Sequence, residues 1–364
     1  MADYAFESSI LNYFSVGEIC GLDPPMRLSR RRFLATGLAA AVALGGYAAY
    51  RIGSSIQPEE PPKTSEVFMI GAPDRIAAIQ ALLGEFDLAG FGGATVALKA
   101  NYNSADPFPA STHIDTLRTI VEGLEGAGST RITLAERSGM GNTRRVLEES
   151  GVFNLSNELG FEVVVLDELP ADGWSEIKPE GLHWVRGFEI AKIFTEAQRV
   201  VQTCCLKTHR FGGHFTLSLK NSIGLVAKRD REGLYDYMTE LHTSPFQRLM
   251  IAEINRFYRV DIAIMDATEG FVTGGPDQGE LVKPKLILAS KDRVALDAVG
   301  VVLLRSYGST PEVMKGRIFD LEQIARAAEL GVGVASPSQI RLVPLDSGSQ
   351  KNAEIIQRIL DTEE

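Results

Sequence analysis

Cysteine is scarce: Cys20, Cys204 and Cys205 are the three in 364 residues. The last two are neighbours, and adjacent cysteines bridge only with strain. That rules out a disulfide framework. No C-x-x-C pair occurs, so cysteine-only zinc and iron–sulfur sites have no support either. The chain also lacks positive charge. Its 37 Lys and Arg face 47 Asp and Glu, for a formal net charge of -10. General nucleic-acid binding leaves a basic footprint, so no nucleic-acid partner is expected, although a local basic pocket is compatible with this balance. Histidine is rare, with five residues, and no internal repeat of solenoid period is present. What is there, 45% hydrophobic and 23% charged residues, is the balance of a globular protein. The length suffices for one large or two medium domains.

The N-terminal segment carries a specific pattern. Ser29-Arg30-Arg31-Arg32-Phe33-Leu34 resembles the twin-arginine export consensus, and an uncharged Ala-, Gly- and Leu-rich stretch follows over 33–50. That stretch is near the lower length limit for a membrane span. Positive charge precedes it and only Arg51 follows, which orients the remainder outward. The implied partner is the twin-arginine (Tat) translocase. The implied location is periplasmic, or the outer face of the cytoplasmic membrane with the N-terminal helix as a membrane anchor if it is not cleaved. Residues 1–26 then read as a non-native or disordered extension, with translation starting at Met26. Residues 27–52 form the signal or anchor, and 53–65 a proline-rich linker.

Beyond the linker, β-branched runs alternate with helical patterns. Strands are predicted at 67–70, 94–99, 131–135, 162–166, 199–206, 261–265, 285–289 and 340–344. Helices are predicted at 75–86, 113–125, 143–150, 216–226 and 294–307, with a C-terminal helix over 347–364. This is an α/β domain over 66–346, one body or two subdomains, with a mostly parallel sheet and helices on both faces.

Ligands in such sheets gather at the carboxyl ends of strands. Four predicted strand ends are polar: Lys99-Ala100-Asn101, Glu136-Arg137-Ser138-Gly139, Lys207-Thr208-His209-Arg210 and Asp266-Ala267-Thr268-Glu269. Residues 207–231 concentrate the cations of an acidic chain, among them Lys207, His209, His214 and Lys220. A loop entering a helix beside lysines suits a phosphate or carboxylate; a solvated basic face has the same composition. Gly274 to Gly279 could form an anion-binding nest or a plain turn. Asp292 is placed to cap the helix that follows. His209, His214 and Asp266 are weak candidates for a divalent metal, since their spacing matches no common ligand pattern.

The order of these motifs is similar to that of the domain of unknown function 362 family. Lys99-x-Asn101, Lys207-Thr208-His209, Lys220-Asn221-x-x-Gly224, His242, Asp266-Ala267, Gly275-Pro276-x-x-Gly279 and Asp292-x-Val294-Ala295-x-Asp297 fall in sequence over about 95–305. Some family members carry a ferredoxin-like cysteine module and are described as iron–sulfur, redox-associated proteins; this chain has no such module. The resemblance implies that the Lys-Thr-His, Lys-Asn and Asp-Ala positions share one site. Three functions are compatible with these residues. In an enzyme on a small anionic substrate, Lys207 and Lys220 hold the anion, His209 or His242 transfers a proton, and Asp266 orients a histidine or binds metal. Lys99, Asn101, Lys220, Asn221, Gly275 and Asp297 then bind ligand or cofactor. An anion-binding protein without turnover uses the same groups. A membrane-tethered assembly factor is the third.

Overall fold

The computed structural model describes residues 64–362. Twelve strands are present among them: β1 Ser65–Gly71, β2 Thr95–Lys99, β3 Arg131–Glu136, β4 Glu162–Val165, β5 Trp174–Ile177, β6 Phe188–Ala191, β7 Arg199–His209, β8 His214–Phe215, β9 Ile262–Gly274, β10 Gly279–Val282, β11 Leu286–Ser290 and β12 Ile340–Pro344. The main sheet runs β12-β1-β11-β9-β7-β2-β3-β4, with β10 on β9 and β8 on β7; β5 and β6 form a separate ribbon.

The sheet is mixed rather than simply parallel. From β9 through β7, β2 and β3 to β4 every pairing is parallel, as is β12 with β1. β11 is antiparallel to both β1 and β9. The cause is chain length. β9 turns back through the β10 hairpin and reaches β11 after three residues, and so short a link cannot make the crossover that parallel pairing needs.

Both faces are covered, as the doubly apolar strands require. In β1 and β9, Val67, Met69, Ala263 and Met265 join one core, whereas Phe68, Ile262 and Ile264 join the other. Among the helices that cover these cores or border the strand ends are α1 Arg75–Leu83, α2 Ile114–Gly126, α3 Ser218–Asn221, α4 Tyr237–Thr243, α5 Arg293–Ser306 and α6 Ser347–Asp361. α1 and α2 cover the Phe68 face, and α5 and α6 the Val67 face. The helix predicted over 216–226 is instead the single turn α3 followed by 3-10 turns over Ser222–Leu225. At Gly224 a Cβ would lie 2.6 Å from Lys99 Cε, so the chain there is pressed onto the lysine and no regular side chain fits.

The membrane expectation needs correction. Among the described residues no helix is long and apolar enough to cross a membrane. The longest, α6, has 15 residues and carries Lys351, Glu354 and Arg358, against about 20 apolar residues for a span. Membrane anchoring and the periplasmic, membrane-face location drawn from it are therefore withdrawn. The twin-arginine pattern and the apolar 33–50 stretch lie outside the described residues.

Asp292 anchors the longest buried helix. Its carboxylate accepts from Val294 N and Ala295 N at the start of α5, at 2.8 and 3.0 Å. It also accepts from Val334 N and Ser65 Oγ. Removing it leaves buried donors unsatisfied. Asp292→Ala is expected to lower unfolding stability by about 2–3 kcal/mol, a cap loss plus a desolvation penalty. Urea titration should show a lower midpoint with an unchanged slope.

Candidate functional site

The carboxyl ends of β7, β2, β3 and β4 lie side by side, and a cavity of about 590 Å³ opens over them. Each of the first three delivers a polar residue at its end: Lys207 and His209 from β7, Lys99 from β2, Glu136 and then Arg137 from β3. α3 adds Lys220 and Asn221 from above.

One lysine is fully engaged. Lys99 Nζ donates to Glu136 Oε1 at 2.7 Å, to the Ala100 carbonyl at 2.5 Å and to Asn221 Oδ1 at 3.1 Å. Asn221 passes the link on by donating to the Thr203 carbonyl. Burial pushes the Lys99 pKa down and that of Glu136 up, and their mutual attraction opposes both shifts.

The other cations lack such partners. Lys207 is buried and donates to the Ala110 carbonyl, with no carboxylate on it. Lys220 has no hydrogen-bond or ion-pair partner among the described residues. Desolvation, then the Lys207 and Arg137 charges, lower its pKa to about 7. Arg137 donates through Nη2 to the Ile223 carbonyl, yet its Nε and Nη1 are buried without a partner. Desolvation lowers its pKa to about 10. His209 is buried with Nδ1 unpartnered. Burial, then Lys220 and Lys207, hold its pKa well below the ordinary imidazole value, so the ring is neutral. Tyr102 Oη and Asn101 Oδ1, on the same wall, are buried and unpartnered as well.

Gly213 permits this crowding. A Cβ there would lie 2.7 Å from Lys220 Cε and 2.9 Å from His209 Nδ1. His242, on α4, stands exposed at the mouth. Its Nδ1 is 2.7 Å from the Met238 carbonyl, which leaves Nε2 as the acceptor. Partial desolvation, opposed by that bond, lowers its pKa.

Seven residues singled out from sequence thus line one cavity: Lys99, Asn101, Lys207, His209, Lys220, Asn221 and His242. Four others do not line it. Asp266 is enclosed by Arg75 at 2.8 Å, Thr116 at 2.7 Å and Thr268. Asp297, on α5, accepts from Ser218 N and Leu219 N at 2.8 and 3.0 Å and so holds the start of α3. Gly275 presses on the Thr208 carbonyl and accepts from Arg210. His214 pairs across from His209 in the β7–β8 hairpin. Among the described residues no three His, Cys, Asp or Glu side chains gather as a metal site, and Cys204 and Cys205 are buried, free thiols. Sequence reasoning named Glu136 and Arg137 in the polar run at the end of β3 without giving them a role, and it did not select Tyr102.

The family described as domain of unknown function (DUF362) matches residues 96–302, more than half of the chain. The chain belongs to this family. The DUF362 match takes in every cavity residue from Lys99 to His242. The lactate racemase apoprotein from Thermoanaerobacterium thermosaccharolyticum is similar in structure over 63% of this chain and 55% of that one, with 15% identity and a TM-score of 0.40. The chain thus spans about half the length of that protein, and a likeness of this degree carries no argument about the reaction. No curated protein matches the chain.

A pH-dependent stability follows from Lys220. Its folded pKa is near 7 and that of a free lysine is 10.5, so the unfolded chain binds the extra proton between those values. The cost of enclosing Lys220 is full below about pH 7 and fades as pH rises toward 10.5. Lys220→Met should therefore be more stable than the native chain at pH 6 by about 2 kcal/mol, the shift discounted for partial exposure. Denaturant midpoints should converge by pH 10; a gap independent of pH would contradict the assignment.

Proposed function

We propose that the cavity binds a small organic anion and transfers a proton on it. The observation that carries this reading is one cavity that brings the unpaired Lys220 amine beside three buried nitrogens without partners: His209 Nδ1 and Arg137 Nε and Nη1. Burying unpartnered donors is costly, and a ligand with matching acceptors removes that cost. Arg137 offers charged guanidinium donors, Nε and Nη1, suited to a carboxylate or phosphate oxygen, and Lys207 adds charge. Lys220, with a pKa near 7, is unprotonated for half the time at neutral pH and suits a general base. His209 is neutral and within the same cluster, where one ring nitrogen can donate and the other accept. His242 at the mouth is the second candidate for proton exchange with solvent. Asp266, tied to Arg75, takes no step in this scheme, and no step runs through a metal.

The reading is tested by incubating the native chain in deuterated water with a panel of carboxylates and phosphates and following label incorporation by NMR. Arg137→Met is expected to weaken anion binding about 100-fold, the loss of a buried charge-assisted hydrogen bond. Lys220→Met and His209→Ala are expected to abolish exchange while anion affinity falls less than tenfold. Exchange should rise with pH through about 7 as Lys220 loses its proton. If both variants exchange like the native chain, or anions bind and nothing is ever exchanged, the site captures an anion without turning it over.

A further inference from the structure

The cavity is far larger than a simple anion needs. At about 590 Å³ it has room for on the order of twenty waters, and it falls in the range of sites for whole organic ligands. It is also long. Its lining runs from His209 at the end of β7, across β2 and β3, to Leu166 just past β4. Three strand spacings amount to about 14 Å.

Charge is distributed unevenly along that length. Toward β7 and β3 stand Lys207, Lys220 and Arg137, none with a carboxylate bonded to its side chain. Toward β4 and β5 each cation already has one. Lys228 pairs with Asp167 at 2.7 Å, Arg231 with Glu189 at 2.8 Å and Arg229 with Asp236 at 3.3 Å. Between these pairs the wall is apolar, formed by Leu166, Leu169, Ala171 and Trp174. One end demands negative charge, and the other offers neutralised pairs and an apolar surface.

We infer that the ligand of this cavity is an elongated organic anion. Its carboxylate or phosphate head lies at the β7 end, and an uncharged body with a ring or alkyl face lies along Leu166, Leu169 and Trp174. The inference rests on the anion reading of the Lys220 end and adds the class of molecule that the head belongs to.

Two probe pairs test it on the full chain: inorganic phosphate against 4-phenylbutyl phosphate, and acetate against 6-phenylhexanoate, with affinities from calorimetry. At least one long probe should bind about 30-fold more tightly than its head alone, what burying a ring and a few methylenes is worth. The pair that gains identifies the head as phosphate or carboxylate. Trp174 lines the cavity, whereas Trp184, the second of the two tryptophans, does not. Long probes should therefore change the intrinsic emission, short ones should not, and Trp174→Phe should silence the change. Leu169→Glu, at a half-buried position that tolerates a polar residue, should bring the affinity ratio of long probe to head alone down toward one. Equal affinity for long and short probes, or a gain that persists in Leu169→Glu, overturns the inference while the anion site stands. Phosphate and acetate binding that Lys220→Met and Arg137→Met leave untouched sinks the anion reading, and this inference with it.

Discussion

The site is organised by the buried contact among Lys99, Glu136 and Asn221. It joins the ends of β2 and β3 to the helical turn α3. Isolating two charges from water costs several kcal/mol per ion, and the attraction between them offsets this only when the remaining polar atoms are satisfied. Here they are. Lys99 also donates to the Ala100 carbonyl, Glu136 accepts from Arg137 N at 3.0 Å, and Asn221 donates to the Thr203 carbonyl. Such a contact adds little net stability and much specificity of position, because any displacement leaves a charge stranded. Asp297 secures the other end of α3 through two backbone donors. Lys220 lies between these two restraints, so its amine is held in the cavity without any bond of its own.

The same contact decides which charges are left for a ligand. Glu136 is spent on Lys99, and Asp266, a buried carboxylate within β9, is spent on Arg75. Lys207, Lys220 and Arg137 then face the cavity with no carboxylate bonded to them. A net charge of -10 for the whole chain is thus no guide to its interior. The surface is acidic, and the site draws anions by local excess.

The parallel half of the sheet was readable because its residues answer to one rule: strands apolar on both faces, each ending in a polar pair. Lys99, Lys207 and His209 were found that way. The antiparallel insertion of β11 was not, since an apolar run looks the same in either direction and only the shortness of the β10 link reveals the reversal. Arg137 was noted at the end of β3 but given no role, because nothing in the sequence shows that it is buried. Its burial depends on Ile223 and Met238, contributed from elsewhere in the chain. Asp266 and Asp297 were drawn into the site by their motifs, but their partners are Arg75, Thr116 and the α3 amides. These are long-range contacts that no spacing in the sequence discloses.

Crowding three cations has a consequence for the proposed reaction. Lys220 titrates near pH 7 because burial disfavours its charge and because Lys207 and Arg137 repel its proton. An anion placed among them reverses that local potential and raises the proton affinity of the amine. In the free site about half of the lysine is unprotonated near pH 7 and ready to accept; once the anion is bound, it becomes a stronger base beside the molecule it acts on. Thermodynamic linkage requires the same coupling in the opposite direction. A Lys220 that gains its proton binds the anion more tightly, so proton uptake and anion retention reinforce each other, and release of either loosens the other. A site built from paired charges would not have this property. It depends on the absence of a carboxylate partner for Lys220, the condition that the Lys99–Glu136 contact creates.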